Sequence, residues 1–122
     1  MKNLTCHCGE VELEIKESEG VLNKFLRCNC TLCKKKGYIM TFAPIKDVKI
    51  TKGEDKVKLY QYHTKVAEHY FCSECGIYTH HKMRSRPDTF GLNVGCIDDI
   101  DQFKLENVGL NDGQNHPMDQ KK

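Results

Sequence analysis

Cysteine is the residue type in this sequence with the most capacity for chemistry. The chain of 122 residues contains eight cysteines. Seven of them fall into three tight groups, namely Cys6-x-Cys8, Cys28-x-Cys30-x-x-Cys33 and Cys72-x-x-Cys75. Cysteines this close rarely bridge each other, because disulfide geometry is hard to meet across one or two residues. Their sulfurs can instead reach one metal ion, so the spacing favours metal sites over disulfides.

Four of these cysteines are predicted to form a closed metal site. Cys72 and Cys75 lie on a tight turn followed by Gly76, which can take the positive φ that turns backbone N–H groups toward the sulfurs. Together with Cys6 and Cys8 they supply the four thiolates of a tetrahedral zinc site. A full ligand shell indicates a structural zinc whose binding energy stabilises the fold. The alternative is that these are ordinary buried cysteines. The histidine between Cys6 and Cys8 is expected to point outward.

Cys28, Cys30 and Cys33 supply three sulfurs and no evident fourth ligand. Three protein ligands and an open position are typical of a zinc that binds something else, so these cysteines are the candidate catalytic residues. Three thiolates on a divalent ion leave a formal charge of −1, which makes a weak Lewis acid but suits capture of an incoming thiol. The ligand set therefore favours carbon–sulfur chemistry over hydrolysis. In the alternative, a distant histidine completes a second structural site, the candidates being His63, His69, His80 and His81.

Basic residues surround the three-cysteine group: Arg27 precedes it, and Lys34, Lys35 and Lys36 follow it. They either hold the carboxylates of an anionic substrate or only offset thiolate charge on a solvated turn. Arg27, Lys34 and Lys35 are the candidate substrate-binding residues. His69 joins them, because its strand phase and its closeness to a metal-binding pair favour a place lining the site. The alternative is that His69 is an ordinary residue of the core.

Alternation of apolar and polar residues predicts a mainly β fold of small antiparallel sheets in one domain covering residues 1–122. The expected strands cover residues 11–15, 48–51, 57–62, 66–71, 77–81 and 90–96. Helix signals are short, at residues 31–36 before Gly37 and at residues 98–104. Residues 107–122 are expected to be irregular. Cys96 is in phase with apolar neighbours and is interpreted as a buried thiol, and Tyr60, Tyr62 and Tyr70 as packing residues.

Charge and hydropathy exclude several classes of protein. Lysine and arginine number 19 and aspartate and glutamate 17, which gives a net charge of +2. This balance argues against a nucleic-acid partner recognised by charge alone. No apolar stretch approaches the ~20 residues of a membrane helix, and residues 1–10 lack the apolar core of a secretory signal. A cytoplasmic protein without a membrane partner is therefore expected, and its oligomeric state is left open.

The order of the cysteine motifs resembles the family of glutathione-dependent formaldehyde-activating enzymes and centromere protein V. That family shows CxC, then CxCxxC, then FCxxCG, and the last motif is matched here by residues 71–76. Residues 60–71 and 84–98 look like the centromere-protein-V branch. The resemblance covers about residues 4–101.

The resemblance implies a fold of small β-sheets clamped by zinc, sometimes called a β-tent, with two zinc ions per chain. It implies a structural zinc on the CxC and CxxC pairs and a catalytic or labile zinc on the three-cysteine group. The implied activity is addition of a small thiol such as glutathione to formaldehyde, a carbon–sulfur lyase chemistry like that of S-(hydroxymethyl)glutathione synthase. A different interpretation is a non-catalytic, zinc-stapled module that binds a protein or a nucleic acid.

Overall fold

The computed structural model describes residues 1–17, 21–62, 65–83 and 86–111. Within these ranges the chain is mainly β, with ten strands in two sheets and one α-helix. The strands are β1 (Lys2–Thr5), β2 (Glu12–Ile15), β3 (Leu26–Cys28), β4 (Met40–Pro44), β5 (Val48–Lys52), β6 (Val57–Tyr60), β7 (Glu68–Cys72), β8 (Tyr78–Lys82), β9 (Thr89–Asn93) and β10 (Gly109–Asn111). The helix α1 is Thr31–Lys36. None of the helices described there is long and apolar enough to cross a membrane.

The smaller sheet has the order β1-β2-β5 and is antiparallel. Its central strand β2 shows the predicted alternation, since Leu13 and Ile15 are fully buried while Glu12 and Glu14 are partly exposed. A strand with one apolar face must cover that face, and the second sheet does so.

The larger sheet has the order β10-β3-β4-β9-β8-β7-β6. Its strand pairs are antiparallel, as expected, except for β10 with β3, which is parallel. The pairing of β7 with β8 shifts register between Tyr70 and Phe71. Such a bulge re-aims side chains, and it lets Tyr78 and His81 contact each other.

Two apolar clusters lie against the larger sheet, and β4 contributes to both. Ala43 belongs to the cluster shared with the smaller sheet, which also contains Leu13 and Leu92. Its neighbour Phe42 belongs to a second cluster with Tyr38 and two other aromatic or apolar residues, Met40 and Tyr78. Successive residues of a strand point to opposite faces, so the second cluster covers the outer face of the sheet.

Helix α1 forms where the sequence predicted it. Cys30 is its N-cap, and Gly37 ends it with a left-handed φ of 64° and an N–H donated to the Cys33 carbonyl oxygen at 2.9 Å. Glycine fits this position because it adopts positive φ without a side-chain clash. The predicted helical turn at residues 98–104 is limited to a 3₁₀ turn, Gln102–Lys104.

The expectation of an irregular segment from residue 107 is wrong for Gly109–Asn111, which form β10. Gly109 donates its N–H to the Phe25 carbonyl oxygen at 3.0 Å. A Cβ at residue 109 would lie 2.7 Å from Leu26 Cδ2, so glycine permits the close approach. Because backbone pairing of this kind needs no alternation of apolar and polar side chains, the sequence pattern did not predict β10. Residues 112–122 lie outside the described residues.

Candidate functional site

The first cysteine pair lies on a tight turn after β1. Cys6 donates its N–H to the Val11 carbonyl oxygen at 3.1 Å, and Gly9 donates its N–H to the Cys6 carbonyl oxygen at 3.3 Å. Gly9 has a φ of +81°, which only glycine adopts without strain. The turn reverses the chain between β1 and β2 and brings Cys8 back beside Cys6. His7 is exposed, in agreement with the prediction that it points outward.

The second pair lies on a similar turn between β7 and β8. Cys72 donates its N–H to the Ile77 carbonyl oxygen at 2.9 Å, and Gly76, with a φ of +77°, donates its N–H to the Cys72 carbonyl oxygen at 2.8 Å. An ion pair of 2.9 Å between Lys56 Nζ and Glu74 Oε1 ties the turn to the segment before β6.

The two turns bring four sulfurs together. The ligand atoms of Cys6, Cys8, Cys72 and Cys75 all lie within 4.8 Å of one another. The Cys6 and Cys8 sulfurs are 3.6 Å apart, and the Cys8 and Cys72 sulfurs are 3.7 Å apart. Tetrahedral zinc with Zn–S bonds of about 2.3 Å separates its sulfurs by roughly 3.8 Å. These distances, with all four cysteines as free thiols, fit a tetrahedral metal ion and not a disulfide.

The three-cysteine cluster is built around the start of α1. Cys28 ends β3, Cys30 caps the helix, and Cys33 lies in its first turn. The three sulfurs lie within 4.8 Å of one another. The Cys33 backbone N–H donates to Cys30 Sγ at 3.3 Å. Hydrogen bonds from the Cys28 and Cys33 side chains, together with that N–H, hold the pKa of Cys30 well below its usual range.

In the described part of the chain, no histidine, further cysteine or carboxylate joins these three cysteines as a fourth ligand. His80 and His81 are buried elsewhere in the larger sheet, and His63 lies outside the described residues. His80 stacks on Tyr70 with the ring centroids 4.7 Å apart. His69 is buried and contacts Tyr78, with 3.2 Å between His69 Nδ1 and Tyr78 Oη. Among the described residues, the three-cysteine cluster therefore offers a metal three ligands.

Two tyrosine hydroxyls touch the three-cysteine cluster. Tyr38 Oη lies 3.7 Å from Cys33 Sγ, and the Tyr62 hydroxyl donates to Cys30 Sγ at 3.8 Å. The Tyr62 ring stacks on Tyr60 at 5.9 Å. From the sequence, Tyr62 was expected to be a packing residue, and Tyr38 was not singled out. The signal available for Tyr38 was its place just after the helix-ending Gly37, five residues from Cys33.

Behind Tyr38 lies a buried hydrogen-bonded group. Tyr38 Oη is 3.3 Å from Tyr78 Oη and 3.3 Å from His81 Nδ1, and Tyr78 Oη is 3.2 Å from His69 Nδ1. Burial raises the pKa values of Tyr38 and Tyr78 well above the usual tyrosine range. Burial, with the neighbouring His69, lowers the pKa of His81 to about 3. The two phenols and His81 are therefore neutral near pH 7.

The basic residues around the cluster separate into two kinds. Arg27, Lys34 and Lys35 are exposed, and Arg27 Nη1 donates to the Gly37 carbonyl oxygen at 3.4 Å. Lys36 instead folds inward, with Nζ 3.9 Å from the centroid of the Tyr78 ring, and desolvation lowers its pKa. Arg27, Lys34 and Lys35 are thus the basic residues of this region that face solvent.

Cys96 is buried, as predicted, and does not belong to either cluster. Its thiol donates weakly to the Tyr78 carbonyl oxygen at 3.8 Å. Burial, with the neighbouring Cys6 and Cys75 sulfurs, raises the pKa of Cys96 to about 12. A neutral thiol in the core packs as a small apolar residue.

Comparisons with known proteins agree with this geometry. A family model described as glutathione-dependent formaldehyde-activating enzyme matches residues 1–108. A crystal structure of a protein from Rhodobacter sphaeroides, determined in a structural genomics programme, is similar with a TM-score of 0.84 and 39% sequence identity. The match covers 91% of this chain and 100% of that one.

Proposed function

The chain belongs to the family of glutathione-dependent formaldehyde-activating enzymes, and we propose that it joins a small thiol, glutathione in the first instance, to formaldehyde at its three-cysteine cluster. The proposed cofactor is zinc, with one ion in each cysteine cluster. We also propose a cytoplasmic location, because a reducing compartment keeps clustered cysteines available as ligands.

The observation that carries this proposal is the difference between the two clusters. The four-cysteine cluster supplies a full tetrahedral shell, whereas the three-cysteine cluster supplies three sulfurs and, among the described residues, no fourth ligand. Open positions of this kind are typical of zinc sites that bind a substrate. We therefore assign the structural role to Cys6, Cys8, Cys72 and Cys75, and the substrate-binding role to Cys28, Cys30 and Cys33.

The proposed reaction needs no oxidant or reductant. A zinc ion in the three-cysteine cluster would supply the positive charge beside which an incoming thiol loses its proton. In the reaction the sulfur forms a bond to the carbonyl carbon of formaldehyde. The C=O π pair moves to the oxygen, which takes up one proton. The product is a hydroxymethyl thioether, S-(hydroxymethyl)glutathione when the thiol is glutathione.

The exposed basic residues give this site a preference for anionic thiols. Glutathione carries two carboxylates, and Arg27, Lys34 and Lys35 present positive charge to solvent next to the cluster. Lys36 lies against Tyr78 and is not counted among them. His69 is buried behind the tyrosines, so we propose that it supports the site through Tyr78 and does not touch the substrate directly.

The proposal is tested by the rate at which zinc-loaded protein forms the glutathione–formaldehyde adduct, measured by exchange NMR against the uncatalysed rate. We expect acceleration by the native protein and none by Cys33→Ser. Lys34→Ala with Lys35→Ala should weaken glutathione binding about three- to tenfold, since exposed charge pairs contribute modestly. The matched control replaces Lys46 and Lys49, which are exposed just before and within strand β5 of the smaller sheet. This control should bind glutathione as the native protein does.

Absence of both acceleration and glutathione binding in protein loaded with two zinc ions would contradict the proposal. The non-catalytic binding module would then be the better account of this fold.

A further inference from the structure

The Tyr38 hydroxyl has three polar neighbours within contact distance. They are Cys33 Sγ at 3.7 Å, Tyr78 Oη at 3.3 Å and His81 Nδ1 at 3.3 Å. A phenol hydroxyl donates one hydrogen bond and accepts two. One of the three neighbours therefore receives the Tyr38 proton, and the other two must donate to the Tyr38 oxygen if all are to be satisfied.

The charge of Cys33 decides which neighbour receives that proton. A metal-bound cysteine is a thiolate, which can only accept, so Tyr38 then donates to Cys33. Tyr78 O–H and His81 Nδ1–H donate to the Tyr38 oxygen, and the Tyr78 oxygen accepts from His69 Nδ1–H across 3.2 Å. Each of the four contacts among Cys33, Tyr38, Tyr78, His81 and His69 then has one donor and one acceptor.

With Cys33 as a neutral thiol, the hydrogen bonds from Tyr38 through Tyr78 to His69 reverse their direction. Tyr38 donates to Tyr78 at 3.3 Å, and Tyr78 donates onward to His69 Nδ1. His81 Nδ1–H still donates to the Tyr38 oxygen, and the second lone pair is free to accept from the Cys33 thiol. The two states thus differ in the proton position on His69 but not on His81.

Packing holds His81 in the orientation that this arrangement requires. Its ring stacks on Tyr78 with centroids 5.9 Å apart and on His69 with centroids 5.6 Å apart. A Cβ at residue 91 would collide with the His81 ring, so the ring lies directly on Gly91. Tyr38, Tyr78 and His81 are all buried, and a metal-bound Cys33 thiolate can only accept a hydrogen bond, so the Cys33 sulfur sets the direction of these hydrogen bonds.

We propose that Tyr38 is a positioning residue of the three-cysteine cluster, donating its hydroxyl hydrogen to the metal-bound Cys33 thiolate while His81 and Tyr78, backed by His69, hold it in that orientation. The inference rests on the proposed function only in requiring a metal in this cluster. A hydrogen bond to one thiolate withdraws electron density from an anionic site, which favours the approach of another anionic sulfur. Hydrogen-bonding partners of ligands commonly tune metal sites in this way.

The first test compares Tyr38→Phe with Tyr70→Phe. Tyr70 is a matched control because its hydroxyl contacts Glu68 and its ring stacks on His80, away from the cysteines. In chelator competition, Tyr38→Phe should weaken metal binding at the three-cysteine cluster about 10- to 100-fold and leave the four-cysteine cluster unchanged. With cobalt in the weaker site, its sulfur-to-metal charge-transfer band should move to lower energy, because a thiolate without its hydrogen bond gives up an electron more easily.

The second test needs no substitution and still decides the matter if Tyr38→Phe fails to fold. Nitrogen-15 NMR of the native protein should show both His69 and His81 protonated at Nδ1 when zinc fills both clusters. Removing only the weaker zinc should move the His69 proton to Nε2 and leave His81 unchanged.

A zinc-loaded protein with an unprotonated His81 Nδ1, or an unshifted cobalt band in Tyr38→Phe, would overturn the proposal without affecting the proposed reaction. A protein that takes up no second metal would overturn both.

Discussion

The sulfur atoms of the two clusters differ in what donates hydrogen bonds to them. In the four-cysteine cluster a backbone N–H supplies the contact, as when Val11 donates to Cys6 Sγ at 3.3 Å. In the three-cysteine cluster a backbone N–H is joined by the hydroxyls of Tyr38 and Tyr62. A backbone N–H keeps its position as long as the fold is intact. A side-chain hydroxyl can rotate and change its hydrogen-bond partner when the charge of the sulfur changes.

The buried histidines make the free energy of unfolding depend on pH. Burial lowers the pKa of His80 from 6.5 to about 4, so unfolding is accompanied by proton uptake below about pH 6.5. The free energy of unfolding is therefore fully retained above pH 6.5 and falls as the pH drops toward 4. Between pH 6.5 and 5.5, native protein should lose about 1 kcal/mol more than His80→Asn, as measured by urea unfolding.

Both proteins in that comparison keep the same cysteine clusters, so acid effects on the metal sites cancel. Equal losses of stability in the two proteins would show that His80 is protonated in the folded state, contrary to the burial that the structure gives it.

Sequence correctly predicted which cysteines lie together, but it predicted the residues around them poorly. Each cysteine group lies on one local turn, and a turn can be inferred from spacing and a following glycine, as at Gly76. Tyr62 reaches Cys30 from 32 residues away, and His69 reaches Tyr78 across the β7–β8 pairing. Such contacts depend on strand register and on a bulge, which a single sequence does not specify.

At the scale of elements, the two clusters join different parts of the fold. The four-cysteine cluster joins the turn after β1 to the turn after β7, and Cys72 is fully buried there. The three-cysteine cluster joins β3 to the helix that follows it directly in the chain. Closing a long loop restricts the unfolded chain far more than closing a short one, so the first cluster should matter more for stability.

Replacing one ligand in each cluster tests that difference. Cys72→Ser should lose the four-cysteine metal and unfold, because a structural zinc contributes on the order of 10 kcal/mol, comparable to the whole stability of a small domain. Cys33→Ser should lose one metal and about 1–2 kcal/mol. Metal analysis and thermal unfolding measure both effects. Cys96→Ala, a buried cysteine outside the clusters, should keep both metals.

Similar destabilisation by Cys72→Ser and Cys33→Ser would mean that both clusters are structural. That result would also count against an open metal position.

Strand alternation predicted β2 and β5 to β9, because half-buried strands must alternate, as β2 does. It gave no strand at β1, β3 or β4. It failed at β10, where pairing with β3 is parallel and depends on Gly109. The short helix was predicted from its end, since Gly37 was expected to stop it and does so.

Across the whole molecule the larger sheet separates two environments. One face packs on the smaller sheet and shares its apolar core with Cys6 and Cys72. The other face carries the cluster of Tyr38, Tyr78 and Cys33. The two cysteine clusters therefore lie against opposite faces of the larger sheet, which fits the different roles that we propose for them.

Zinc X-ray absorption of the native protein with two zinc ions tests the central claim most directly. Four sulfurs at one ion and three at the other average to 3.5 sulfurs per zinc, as the two clusters require. Glutathione should raise that average to four, because its sulfur fills the open position. An average of four before any thiol is added, or no change after saturating glutathione, would contradict an open three-cysteine site.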